Sequence, residues 1–362
     1  MKILILSNIP SPYRIDFFNE LGKHFDLTVV FEAKDAEGIT FNWNLDKISN
    51  FKAIFLKEGN IEEKRIDFSI LKFIKKGLYD EVIITSYGYY TEMLALIVLK
   101  FKRIPYYLEV DGGLIRTESK LKKLFKKFLI SGAKGYFSPS KSSDKYLVYY
   151  GANVKRIYRY PFTSLRDSDI EIVSQQEKNQ IRDKLLIKEQ HVVLSVGRFI
   201  YSKGFDVLLR ACKEINTNVG IYIVGGIATD EYLDIQRSHN LSNVHFVKFK
   251  TKTELEEYYK AADIFVLPTR EDVWGLVINE AMAKGLPIVT TEKCVAGLEL
   301  VRENVNGYII PVDNEELISL YINRLIKDDN LRGKLSENSV RIIKKYKIKS
   351  MIDEHIKILK KS

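Results

Sequence analysis

Between residues 268 and 290 the chain reads PTREDVWGLVINEAMAKGLPIVT, with polar residues where chemistry would need them. An apolar run over 263–267 leads in as a buried strand. A helix begins near Gly275 and ends at Gly285, and a second buried strand, 286–290, follows at once. In such a β-loop-α-β unit, ligands collect where strand C-termini meet helix N-termini. Glu271 and Asp272 stand just ahead of the helix, and the amides of Gly275, Leu276 and Val277 have no partner within it. Glu280 lies about one turn further on, beside the apolar positions Val277 and Ala281. The set offers N–H donors to an anion and a carboxylate to a pair of hydroxyls, and a sugar nucleotide presents both. A purely architectural reading stands beside this one. Acidic residues favour a helix N-terminus by roughly 0.3–1 kcal/mol, and a helical Glu can simply face water.

Two further places carry candidate groups. Arg198 ends the apolar run 191–197, and Lys203 lies at the start of the next helix. An arginine forks onto a phosphate while a lysine adds a compact second charge, so together they suit a diphosphate. They belong to the same strand-helix series as Glu280, whose strand ends converge on one crevice. Earlier in the chain, Glu109-Val-Asp-Gly-Gly113 follows the strand 105–108. An acid and two glycines there bring backbone close to a neighbour, or else form an ordinary Asp-Gly turn.

The elements that must position these groups alternate along the whole chain. Strands are expected at 2–6, 27–31, 52–56, 81–85, 105–110 and 135–138, with helices at 13–21, 65–76, 91–101 and 120–130. A polar stretch over 163–190 reads as a linker. It holds Asp167-Ser-Asp169, read as part of that linker and not as a metal site. Strands resume at 191–197, 219–224, 244–247, 263–267, 286–290 and 307–310, and a last helix is expected at 346–360. Apolar strands separated by amphipathic helices argue for parallel, doubly wound sheets, and 362 residues exceed one ordinary core. The expected division is 1–163, 164–345 and 346–362. The loop after the first strand, Ser7 to Arg14, has no GxGxxG pattern, which argues against a tightly held dinucleotide there.

Composition excludes several classes. The N-terminal apolar run spans only 3–6 and does not read as a signal peptide, and no stretch has the eighteen or so apolar residues of a membrane span. Two cysteines make neither a disulfide framework nor a metal spacing. The net charge of +10 points to nucleic acid, an anionic membrane or a phosphorylated ligand. No nucleic-acid recognition motif is present, so no nucleic acid is expected as partner. In Lys120–Ile130, Leu121, Leu124, Phe125, Phe128 and Leu129 share one face and lysines cover the rest. That suits a helix lying on an anionic bilayer; the alternative is a core-packing helix with a solvated lysine face. The expected location is the cytoplasm, peripheral to the inner face of the membrane.

Three motif blocks carry a resemblance. They are Val196-Gly-Arg-Phe with Lys203-Gly-Phe-Asp-Val-Leu-Leu-Arg-Ala211, then residues 259–268 (YKAADIFVLP), then 272–289 with Glu303-Asn-Val-Asn-Gly-Tyr308. They resemble the family 4 retaining glycosyltransferases. Pro10-Ser-Pro-Tyr-Arg14, Glu109 to Gly113 and Tyr149-Tyr-Gly-Ala152 are similar to a subgroup of bacterial surface-polysaccharide synthesis. The resemblance implies the GT-B architecture: two Rossmann-like α/β domains facing a cleft, with a C-terminal helix crossing back to the first. It implies a nucleotide-sugar donor, UDP favoured and GDP possible, and a glycan or lipid-linked oligosaccharide acceptor. No metal, cofactor or protein nucleophile is expected. Gly197, Arg198 and Lys203 would meet the donor diphosphate, Glu280 the ribose diol, and the amides of Trp274, Gly275, Leu276 and Val277 the phosphate and sugar. The first acid of the family's E-x7-E pattern is here Asp272, with Glu271 beside it, and either could read the sugar. Asp111 stands where the family often has a histidine near the transferred sugar. Pro12, Tyr13, Arg14, Gly112 and Gly113 would line the acceptor side. A sugar phosphorylase, an epimerase or a non-catalytic binding protein on the same architecture would share the phosphate residues.

Overall fold

A computed structural model describes residues 1–35 and 45–361. The chain divides into two units, Met1–Thr163 with Ile348–Ser362, and Ser164–Lys347.

The first unit is built on seven parallel strands: β1 (Lys2–Ser7), β2 (Asp26–Phe31), β3 (Lys52–Phe55), β4 (Glu81–Ile84), β5 (Tyr107–Glu109), β6 (Gly135–Ser138) and β7 (Ile157–Arg159). Their order, β3-β2-β1-β4-β5-β6-β7, reverses beside β1, which makes that edge a ligand crevice by topology. Four helices return the chain: α1 (Pro12–Gly22), α2 (Tyr90–Phe101), α3 (Lys120–Ile130) and α4 (Lys141–Tyr149). Ile3 to Leu6 are at most 1% exposed, as a strand covered on both faces requires.

Two expectations fail here. Residues 65–76 form no α-helix, only a short 3-10 segment, Phe68–Lys72. The Asp67 carboxylate accepts from the Ser69 amide at 2.9 Å, and Ile70, Phe73 and Ile74 bond three residues back, not four. A tight turn begun by an Asx cap, filled with β-branched and aromatic residues, overrides the apolar period. Strand β7 was not expected. It is three residues long, and only Ile157 is partly covered, so it lacks a readable pattern.

The second unit opens with α5 (Gln175–Lys184), inside the stretch read as linker. The helix is fastened from outside its own segment: Lys178 and Arg182 reach the buried Asp263 at 2.8 and 2.6 Å. Six parallel strands follow: β8 (His191–Val196), β9 (Val219–Val224), β10 (Val244–Val247), β11 (Ile264–Leu267), β12 (Ile288–Thr291) and β13 (Gly307–Ile310), in the order β10-β9-β8-β11-β12-β13. Between and after them run α6 (Phe205–Ala211), α7 (Asp230–Ser238), α8 (Lys252–Ala261), α9 (Leu276–Ala283), α10 (Val295–Leu300), α11 (Glu315–Lys327) and α12 (Asp329–Ile343). Asp167 and Asp169 lie in a short turn, where Lys347 and Lys252 pair with them.

The last helix, α13 (Ile348–Leu359), packs in the first unit against α1. Its buried residues, Ile348, Met351, Ile352, His355, Ile358 and Leu359, follow the helical period.

Candidate functional site

In the second unit, glycines let the loops leaving the C-terminal ends of β8, β9 and β11 press together. A Cβ on Gly225 would stand 1.8 Å from the Gly197 carbonyl oxygen; one on Gly204 (φ 67°) would stand 2.1 Å from that of Pro268. Only glycine permits such approaches. The turn Tyr201–Lys203 is thereby laid against the loop after β11. There the Ser202 carbonyl accepts from the Arg270 amide at 2.8 Å and from the Thr269 hydroxyl at 2.7 Å. The Arg270 guanidinium fixes this corner by donating to Asp206 at 2.7 and 2.8 Å and to Asp313 at 2.7 Å. It also lies 4.0 Å over the Tyr201 ring.

This frame sets Lys203 2.5 Å from Asp272, whose amide donates to the Lys293 carbonyl at 3.0 Å. Arg198 is exposed and has no ion pair among the described residues. The Glu271 amide donates to Ser202 at 3.3 Å. Trp274 is 3% exposed and its indole N–H donates to Asn279 at 2.9 Å, so its ring is committed to the core and only its backbone can serve a ligand. Gly275 takes φ 98° just ahead of α9, and a Cβ there would stand 2.9 Å from the Cys294 sulfur. The first amide of the helix to find a backbone partner is that of Ile278, which donates to the Gly275 carbonyl at 2.9 Å. Those of Gly275, Leu276 and Val277 precede it and sit at the positive end of the helix dipole.

Glu280, half-buried on α9, accepts from the Tyr259 hydroxyl at 2.9 Å and the Ser164 hydroxyl at 3.3 Å. Burial pushes its carboxyl above the ordinary range, opposed by the Tyr259 hydrogen bond. Each oxygen still has a lone pair for a ligand hydroxyl. Sequence reading missed Arg270, Tyr259 and Ser164, which sit far along the chain from the groups they hold. The Gly225-Gly226 pair at the end of β9 was a visible signal of the close approach to Gly197.

In the first unit, Pro12, Tyr13 and Arg14 do not line a loop. They form the first turn of α1, because the fixed φ of Pro12 suits the first helical position. Arg14 points inward at 2% exposure and pairs with Glu109 at 2.5 Å and with Asp111. The Tyr13 hydroxyl donates to Asp111 at 3.1 Å. Glu109 is fully buried and meets His355 Nε2 at 3.3 Å. Burial alone would raise its pKa; the Arg14 charge and the His355 hydrogen bond outweigh this and hold it at about 2. Asp111 keeps 31% of its side chain exposed. Gly112 is buried. The close neighbour of Gly113 is the Tyr146 ring, 2.8 Å from where a Cβ would stand. Also unremarked in the sequence were Glu32, just after β2, and Glu92, in the first turn of α2. They are 8% and 3% exposed, and burial pushes them up to about 7 and about 8.

Residues 177–341, all within the second unit and spanning Arg198, Lys203, Asp272 and Glu280, match the family model described as Glycosyl transferases group 1. An uncharacterized glycosyltransferase of Methanocaldococcus jannaschii is 29% identical over 196 residues, 52% of this chain and 50% of that protein. The capsular polysaccharide biosynthesis glycosyltransferase CapM of Staphylococcus aureus is 27% identical over 170 residues, 45% of this chain and 44% of CapM. The chain spans about half the length of the curated relatives it matches. Among solved structures, HepE of Anabaena in complex with UDP superposes with a TM-score of 0.80 at 17% identity, over 100% of both chains. The two parallel-sheet units therefore have the fold of GT-B glycosyltransferases, and the second carries the sequence match to group 1.

Proposed function

We propose that this protein is a retaining glycosyltransferase that moves a sugar from a nucleotide-sugar donor, a UDP-sugar by preference, to a glycan acceptor in cell-surface polysaccharide synthesis. The observation that supports this reading is that Arg198 and Lys203 follow β8, Asp272 follows β11 and pairs with Lys203, and the first amides of α9 and Glu280 belong to the helix that comes next. Glu280 takes the ribose diol. Arg198 and the amides of Gly275 to Val277 take the diphosphate. Lys203, paired with Asp272, turns to the diphosphate when the donor binds, which frees Asp272, and Asp272 or Glu271 reads the sugar hydroxyls.

Breaking the anomeric C–O bond places negative charge on the leaving diphosphate. Arg198, Lys203 and the helix amides stabilise that charge at fixed positions. The acceptor hydroxyl attacks from the face the diphosphate leaves, and a phosphate oxygen takes its proton, which gives retention. These cations supply the charge a metal would otherwise bring. The first unit holds the acceptor, at the partly exposed Asp111 beyond β5 and Tyr13 on α1. UDP bound to HepE supports the donor, and the names of CapM and its like support the acceptor class.

The acceptor is lipid-linked in this reading, because α3 lies open. Leu121, Leu124, Phe125 and Phe128 are 80, 63, 45 and 44% exposed, while only Leu129 and Ile130 are buried. An apolar face that the core leaves uncovered, flanked by lysines, fits an anionic bilayer surface.

The test is a thermal-shift screen of nucleotide sugars on wild type and Glu280→Ala, followed by turnover with lipid extract. A sugar nucleotide that stabilises wild type but not the variant, and is consumed with glycan extension, supports the reading. Binding without turnover under any acceptor would leave a binding protein instead.

A further inference from the structure

The first unit holds a cavity of about 860 Å³ at the N-terminal edge of its sheet, the edge opposite Asp111. Its walls are the C-terminal turn of α2, the approaches to β5 and β6, edge strand β7 and the last turns of α13. Seven lysines and arginines line it against a single carboxylate, Glu354. Two helix C-termini account for part of this excess, since each carries about half a negative charge. Ion pairs account for more: Lys134 meets Glu81, Arg159 meets Asp144 and Lys357 meets Glu354. Lys100 is held by backbone carbonyls, and Arg103, Arg156 and Lys361 remain without an ion pair among the described residues. A second feature is independent of charge. Tyr106 lines the cavity at 2% exposure, and its buried hydroxyl has no hydrogen-bond partner among the described residues. A buried donor left unpaired is costly. The enclosed Tyr106 hydroxyl presents no surface to the cavity, so the excess of cations over carboxylates is what describes an anion site.

We propose that this cavity binds a phosphate or diphosphate group, and that its source is the headgroup of an anionic membrane lipid. The lipid part rests on the membrane reading of α3; the phosphate part does not. The link between them is Lys100, which lines the cavity and donates to the carbonyls of Phe128 and of Ser131, the latter at 2.6 Å. Its ammonium also lies 4.7 Å over the Phe128 ring. Phe128 belongs to the exposed apolar face of α3. A lipid whose chains meet that face can therefore present its phosphate toward the cavity wall.

The test pairs two probes on the full chain: inorganic pyrophosphate, and phosphatidylcholine vesicles with or without phosphatidylglycerol. Pyrophosphate titrations use an Arg198→Ala/Lys203→Ala background, so that the second unit contributes nothing. Arg103→Ala/Arg156→Ala/Lys361→Ala is expected to weaken both pyrophosphate and phosphatidylglycerol-vesicle binding at least tenfold. Lys213→Ala/Lys334→Ala/Arg341→Ala, which removes the same charge from exposed positions of the second unit, should change either by less than twofold. Equal losses in the two triple variants overturn the site. Loss of pyrophosphate binding with vesicle binding intact supports the phosphate site and overturns its lipid source. Leu121→Ser/Leu124→Ser/Phe125→Ser separates the two readings: it should abolish vesicle binding and keep pyrophosphate binding. If that variant still binds vesicles, the membrane reading of α3 fails and the lipid source fails with it.

Discussion

In the first unit Arg14 is enclosed by Glu109 and Asp111, and Glu109 is closed off in turn by His355 from the far end of the chain. In the second unit Arg198 stands in water, Lys203 has one exchangeable partner in Asp272, and Glu280 keeps acceptor capacity beyond Tyr259 and Ser164. Both sets lie at the C-terminal ends of parallel strands, and both were candidates on sequence. The difference is completeness. A charge whose partners all come from the fold holds the fold together, whereas one left with open valence at a strand end is available to a ligand. The Arg14 cluster therefore staples α1, β5 and α13, and within it only Asp111 and Tyr13 keep exposed surface.

That contrast can be broken most forcefully at Arg14. Arg14→Ala leaves Glu109 buried without its cation and is expected to destabilise the protein by about 3–5 kcal/mol; a change under 1 kcal/mol in denaturant unfolding would refute the staple. The same cluster sets an acid limit. The folded-state pKa of Glu109, about 2, lies below its ordinary 4.5. Its contribution is complete above about pH 4.5 and is lost as the pH falls toward 2, measurable as a fall in the unfolding midpoint across that window. In the second unit the effect should appear in rate and not in stability. Arg198→Ala or Lys203→Ala is expected to cut turnover at least ~100-fold while leaving the thermal midpoint of the exposed-site Arg198 variant unchanged. Near-normal turnover would sink the assignment.

Glu280→Ala sharpens the comparison further, since it should remove the donor-dependent thermal shift and little else. The smallest effect concerns Glu32 and Glu92, whose raised values of about 7 and about 8 mean that the folded chain holds their protons more tightly than the unfolded one. Their contribution is complete below about pH 4.5 and is lost as the pH rises through about 7 and about 8. Glu92→Gln is expected to raise the midpoint by several degrees at pH 9 and to leave it unchanged at pH 5. A constant offset at both would point to packing instead of titration.

Strands 135–138, 219–224, 244–247 and 307–310 were read to the residue: 219–224, buried on both faces, is a continuous apolar run that needs no context to be seen, and the partly covered edge strand 244–247 is bounded by Asn243 and Lys248. The 65–76 segment misled for the complementary reason. It has an apolar period, but the period does not say whether backbone bonds reach three residues back or four, and the Asp67 cap decided that. The polar character of 163–190 concealed α5 because the helix is held by the distant Asp263 and not by its own apolar stripe. Arg198, Lys203 and Asp272 were legible as candidates from their places at strand and helix ends, and Glu280 from its place about one turn into α9. Arg270, Tyr259, Ser164 and His355 were not, since each acts on a residue 21 or more positions away or on a loop brought near by glycines.

By itself, then, the sequence determined the alternation of strands and helices, the two sheets and the group 1 motifs of the second unit, all of which depend on local period and residue type. Tertiary structure alone decided which charges are spent. Pairing between Arg14 and Glu109, the exposure of the apolar face of α3 and the basic cavity beside it arise from surfaces brought together or left apart across the chain. Neither burial nor an ion pair is a property of residue spacing, because both depend on what the rest of the fold places alongside.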